Sequence, residues 1–270
     1  MRATITSVSK TLRVSSVVSV LAVAAAIVVP VAAQQRLVPV AGRRLSIDCS
    51  GTPGGPATVV LMAGAGNTLR VWERVQPEVA RDARVCSYDR AGVGSSDKTE
   101  RAQSPSEIVD DMHALLMASG ERGPYVLVAH SLAGIYARNF EARFPQETAA
   151  LVLVDASHEE QAVRLDQLDP TVQKLSDVVP LGFFGDASQR LTWRTTLPVT
   201  VLRHGNMSAP QGMSAAVWTA YDRIWAELQE DLAKRSPRGE LRVAERSGHF
   251  IQIDQPELVV QAIRDVMRKR

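Results

Sequence analysis

The chain has 270 residues, 45% hydrophobic and 22% charged, which is enough for one large domain with a full core and excludes disordered and fibrous classes. Its charge is nearly balanced, 31 basic residues against 29 acidic. Arg2, Lys10 and Arg13 all fall in the first 33 residues, and without them 28 basic face 29 acidic, which leaves no basic footprint for nucleic acid.

Residues 1–33 place those three cations ahead of the apolar stretch "VVSVLAVAAAIVVPVAA" and a run of small residues, the layout of an export signal. Val31 and Ala33 supply small side chains at the peptidase positions and Pro30 ends the helix before them, so cleavage is expected after Ala33. The alternative is an uncleaved anchor, because Val14 to Ala33 spans a bilayer at about 20 residues. No second apolar run of that length follows. The expectation is an exported protein, periplasmic or secreted, that meets a membrane only through this segment, with residues 34–270 as the domain.

After the leader, "RRLSIDCSG" reads as an amphipathic strand and "ATVVLMAG" as a short continuous apolar one. "TLRVWERVQPEVARDA" carries Val71, Val75, Val79 and Ala80 at helical spacing, although Pro77 fits only near a helix start. "RVCSYD" is the next strand. "SPSEIVDDMHALLMASG" offers Ser104 or Ser106 as helix cap, repeats Ile108, Met112, Leu115 and Leu116 on one face and stops at Gly120. The strand "PYVLVAH" runs directly into the helix "LAGIYARNFEARF", and "AALVLVDA" is a further apolar strand. "PVTVLRHG", the helical "AVWTAYDRIWAELQEDLAKR" and "LRVAERSG" follow. "PELVVQAIRDVMRK" closes the chain, with proline in its first turn and cations at its end. Strand and helix in alternation predict an α/β fold, a mainly parallel sheet with helices on both faces. Residues 158–197 break the alternation. They are too long for a simple connection and too apolar for a linker, so they are expected to form a small helical cap over the sheet end.

"VAHSLAG" sets Ser131 between a buried strand and a helix. A serine there either caps the helix or is a nucleophile held on a strained turn, whose neighbours must be small; Ala129 and Ala133 meet that need. A serine hydroxyl barely ionises near neutral pH, so it needs a base, and the base needs a group that holds its tautomer. His249 in "SGHF" lies after a late strand, and Asp155 in "LVLVDAS" ends the strand after Ser131.

The order Ser131, Asp155, His249, together with "AHSLAG", "SGHF", "YDRAGVGSSD" at 88–97 and "LMAGAG" at 61–66, resembles the α/β-hydrolase superfamily from about residue 37 to the end. The resemblance implies an eight-stranded sheet, a capped serine-nucleophile enzyme and no cofactor or metal. The elbow departs from G-x-S-x-G, since Ala129 and Ala133 replace both glycines and Gly134 comes one position late. Most members carry the acid after the seventh strand, but "NMSAPQGMSAA" holds no carboxylate; a minority place it at the end of the sixth, which Asp155 matches. Asp222 is the alternative acid, on a helix where its carboxylate is expected to face solvent. The oxyanion-hole donors map to the N–H groups of Leu132 and Ala65, although "GAG" is also readable as a flexible turn.

His130 is expected to point to the other side of its strand, and it, His204, His113 and His158 read as structural. Trp72, Phe183, Phe184 and Trp193 fit either an acyl pocket or plain packing. Cys49 and Cys86 read alone as buried thiols or, after export, a disulfide. They fall on the family's second and fourth strands, which are sheet neighbours, and the resemblance therefore implies the disulfide. No CxxC or Cys/His cluster suggests a metal. The expected function is an exported serine hydrolase acting on an ester or related acyl bond of a small-molecule substrate. Acyl transfer, amide cleavage and carbon–carbon hydrolysis stay open, as does oligomeric state. The alternative from another class is a non-catalytic ligand-binding protein on the same scaffold.

Overall fold

The computed structural model describes residues 1, 4, 35–100, 103–168, 196–209 and 211–269. The leader thus lies almost wholly outside the described residues, as do residues 169–195 of the expected cap, with Phe183, Phe184 and Trp193.

Eight strands form one sheet: β1 (Arg36–Val40), β2 (Arg43–Ser50), β3 (Thr58–Met62), β4 (Arg84–Tyr88), β5 (Tyr125–His130), β6 (Thr148–Val154), β7 (Val199–His204) and β8 (Gly239–Ala244). Their spatial order is 1-2-4-3-5-6-7-8, antiparallel for β1–β2 and β2–β4 and parallel from there on. β1 escapes the sequence reading because "RLVPV" is short and holds a proline that only an edge strand tolerates. Its hairpin turns through Ala41 and Gly42, both at positive φ, as a two-residue type I′ turn requires.

The described helices are α1 (Gln76–Val79), α2 (Pro105–Ala118), α3 (Ala133–Arg143), α4 (Gln161–Leu165), α5 (Ala215–Lys234), α6 (Ile251–Asp254) and α7 (Pro256–Arg268). The segment expected as one helix around Trp72 divides into a 3-10 turn, Leu69–Trp72, and α1, which has Pro77 in its first turn. α2 starts with a reciprocal Ser104–Glu107 capping box and is closed two residues past its end by Gly120, whose φ of +79° lets Gly120 and Glu121 N–H groups satisfy the carbonyls of Met117 and Leu116.

Successive residues of each central strand face opposite sides, so the continuous apolar runs feed two cores. Val60, Met62, Leu127, Ala129, Leu151 and Leu153 pack with α2 and α3. Val59, Leu61, Val126, Val128, Val152 and Val154 pack with α1 and α7 on the other face. Trp72 is fully buried in that second core and lines no described cavity, so its role is packing. Cys49 and Cys86 stand opposite each other across β2 and β4 and are joined as a disulfide, with a Cα–Cα separation of 4.1 Å.

Candidate active site

The carboxyl ends of the parallel strands share one edge, where loops carry ligand-facing groups in open α/β sheets. Ala65 follows β3, Ser131 follows β5, Asp155 follows β6, His204 ends β7 and His249 lies between β8 and α6. All five line one cavity of about 300 Å³, with Leu132, Ser157, Gln161, Met207, Tyr221 and Trp225.

Ser131 has φ of +54° and Asp155 has φ of +43°, conformations that cost about 1–3 kcal/mol each for non-glycine residues and persist only where surroundings enforce them. Here Ser131 N–H donates to the Val154 carbonyl, while the Ser131 carbonyl accepts from Gly134 and Ser157. The late glycine finds its reason in packing. A Cβ on Gly134 would lie 2.6 Å from that of Ala156, so position 134 is where α3 rests on the chain just after β6. Gly64 has a similar constraint, since its Cβ would sit 2.9 Å from Ser131 Cβ and from His130 Nδ1.

Asp155 is fully buried and heavily hydrogen-bonded. Its Oδ2 accepts from His249 Nδ1 at 2.6 Å, while Oδ1 accepts from Trp225 Nε1 at 2.8 Å and His204 N–H at 3.1 Å; His204 Nδ1 lies 2.9 Å from both oxygens. Burial opposes a charge there, but the hydrogen bonds from His204 and His249 outweigh it and hold the carboxyl well below the usual range. Because His249 donates from Nδ1 to a carboxylate, its neutral ring carries the lone pair on Nε2, the form a general base needs. Among the described residues no hydrogen bond joins the Ser131 hydroxyl to His249; the two side chains share the cavity wall.

The His249 loop is fixed from two sides. Asp254 accepts from the Ser247 hydroxyl and the Gly248 N–H, and His130 Nε2 donates to the His249 carbonyl at 3.0 Å. His130 therefore supports this loop, with its ring 4.7 Å from that of His249, where the sequence reading sent it to the far side of the strand. Burial, then the neighbouring His249, push His130 down to about 3, so its ring is neutral.

The two acids weighed from sequence are tied to the same histidine. Asp222 does not reach His249 by a hydrogen bond; its half-exposed carboxylate bonds His204 Nε2 at 3.0 Å rather than facing solvent alone. This role of His204 was missed, and the signal available was a histidine standing where the seventh-strand acid is expected. His113 bonds Glu147 and stacks on Phe144. His158 sits in a buried cluster with Asp231, Glu159, Arg138 and Arg235, which ties α3 and α5 to the chain just after Asp155.

Arg90, from the "YDRAGVGSSD" segment, donates to the carbonyls of Ala63 and Gly64, the latter at 2.7 Å. Gly64 carbonyl and Ala65 N–H belong to one peptide group, so the guanidinium orients that N–H. No backbone acceptor pairs with the N–H of Ala65 or Leu132 among the described residues. The one grouping there with metal-ligand spacing is Cys49, Cys86 and Glu121, whose sulfurs are bonded to each other and whose carboxylate pairs with Arg84.

The model of the alpha/beta hydrolase family matches residues 59–262. A Schizosaccharomyces pombe protein is 40% identical over 82 residues, which cover 30% of this chain and only 15% of that protein. YqjL of Bacillus subtilis is 23% identical over 217 residues, 77% of this chain and 83% of its own. A thermophilic esterase from Thermogutta terrifontis, solved with malate bound, shares the fold at a TM-score of 0.60 and 20% identity, covering 87% of this chain and 98% of that one. With the family match running from β3 into α7 and the eight-stranded, mainly parallel sheet around it, the chain belongs to the alpha/beta hydrolase family.

Proposed function

We propose that the protein is an exported serine hydrolase that cleaves an ester or related acyl bond of a small molecule through an acyl-enzyme. Ser131 attacks the carbonyl carbon while His249 Nε2 takes the hydroxyl proton. Asp155 holds the His249 tautomer and faces the imidazolium as it forms. The oxyanion meets the N–H groups of Leu132 and Ala65, one such donor being typically worth about 3–4 kcal/mol. His249 then protonates the leaving oxygen as its bond to carbon breaks. A water attacks the acyl-serine with His249 as base, which returns the free serine. None of these steps calls for a cofactor or metal.

The observation that carries this reading is the 2.6 Å His249–Asp155 hydrogen bond beside a serine on a positive-φ elbow, with all three groups on one cavity. Family membership supports hydrolysis, and the esterase among the fold relatives favours an ester. The Cys49–Cys86 disulfide is compatible with an oxidising compartment, and among the described residues no helix is long and apolar enough to cross a membrane.

The test is a serine-directed fluorophosphonate probe on folded protein. The expected result is one covalent label that disappears in Ser131→Ala. No labelling, or equal labelling of the variant, overturns the reading and favours a ligand-binding protein on this scaffold.

A further inference from the structure

His204 takes no part in the chemistry proposed above, yet it is the side chain most engaged with the acid. It closes β7 fully buried, with Nδ1 2.9 Å from both oxygens of Asp155 and Nε2 3.0 Å from Oδ1 of Asp222 on α5. A neutral imidazole has one N–H and would turn its lone pair on one of these carboxylates; only the imidazolium donates to both. We infer that His204 is a positioning residue held as an imidazolium between Asp155 and Asp222, so that His249 shares its acid with a second, cationic ring. This inference rests on the Ser131–His249–Asp155 reading.

The surroundings favour that state. Burial works against a charge on His204, but the hydrogen bonds and charges of Asp155 and then Asp222 outweigh it, and the ring binds its proton more tightly than usual. The Asp155 carboxylate is then divided, its Oδ2 taking Nδ1 of His249 at 2.6 Å and of His204 at 2.9 Å. A cation on the far side of the shared carboxylate offsets part of the negative charge that Asp155 presents to the imidazolium His249 forms during the reaction. The other titratable or charged groups facing the pair are His130 from β5, against the His249 carbonyl, and Tyr221 from α5, on the cavity wall. Arg203 of β7 lies 3.6 Å from Asp222, and Asp254 of α6 binds the Gly248 N–H. Among the described residues His204 alone bridges Asp155 and Asp222.

The test has two readings on the full chain. Ring nitrogen-15 spectra of histidine-labelled protein at pH 8 are expected to show His204 protonated on both nitrogens, its signals assigned by their loss in His204→Asn. A neutral ring overturns the inference. His204→Asn also keeps an amide N–H near the Nδ1 position and removes the charge. The acid limb of its kcat/KM profile on p-nitrophenyl acetate is expected to move up by about half a unit or more. A merely structural role lowers kcat/KM without moving that limb, so an unmoved or downward limb is the contrary result. Should His204→Asn fail to fold, Asp222→Asn is read by nitrogen-15 titration. His204 is expected to lose its proton at lower pH than in the parent, and an unchanged titration overturns the inference. If Ser131→Ala retains activity, the triad reading fails by itself, and the nitrogen-15 result still decides the state of His204.

Discussion

Replacing Asp155 by Asn probes the site most severely, with Asp222→Asn as its partner experiment. Asparagine at 155 puts an NH2 where one carboxylate oxygen accepts, so at least one of the His249, His204 and Trp225 donors loses its partner in a fully buried place. Each such loss costs about 1–3 kcal/mol of stability, and a thermal melt should precede the kinetics. For catalysis the larger effect is on the tautomer. An amide N–H facing His249 favours the ring with its proton on Nε2, which then has no lone pair for the Ser131 hydroxyl. In a serine protease the same Asp-to-Asn change costs about 10⁴-fold in kcat, or about 5.5 kcal/mol. Asp222 touches His204 rather than His249, so at pH 8 its replacement should leave kcat within about tenfold. The assay is p-nitrophenyl acetate turnover by folded variants. Equal losses in the two variants, or an Asp155→Asn enzyme within tenfold of the parent, would refute the assignment of the acid.

Arg90→Met removes the charge that orients the Gly64–Ala65 peptide, and a loss of about tenfold or more in kcat with KM little changed is expected in steady-state kinetics. Thiol titration of denatured, non-reduced protein should find none of the two cysteines free, and Cys49→Ala/Cys86→Ala should lose about 2–4 kcal/mol in urea unfolding. His130 is depressed to about 3 in the folded state, so between about pH 6.5 and 3 the unfolded chain binds the extra proton and stability falls as pH falls, by up to about 1.4 kcal/mol per unit. His204 shifts the opposite way, so its contribution grows as pH falls through the ordinary histidine range and then stays constant, which opposes the fall only at the upper end of the window. His130→Gln should flatten the slope in urea melts taken from pH 7 to 5, and an unchanged slope would contradict the buried neutral ring.

The parallel strands were legible because burial on both faces demands continuous apolar runs such as "YVLVAH" and "AALVLV", and α2 because its cap and stop are local chemistry. β1 was not, because an edge strand with one buried face over five residues carries only Val38 and Val40 as signal. At the site, Ser131, Asp155 and His249 stood out because strand ends and loop position constrain them. The elbow's missing glycines make sense only once Ala156 is seen against Gly134. His204 and His130 were read as bland because their partners are 49, 18 and 119 residues away, distances at which no local pattern speaks.

The claim on which the rest depends is that the Ser131 oxygen becomes acylated through the His249 base. Protein quenched in acid during turnover of p-nitrophenyl acetate, digested and mapped by mass spectrometry, should carry acetyl on the peptide containing Ser131, at a level that collapses in His249→Ala. Sustained hydrolysis with acetyl on other residues alone, or undiminished turnover by Ser131→Ala, would contradict the account.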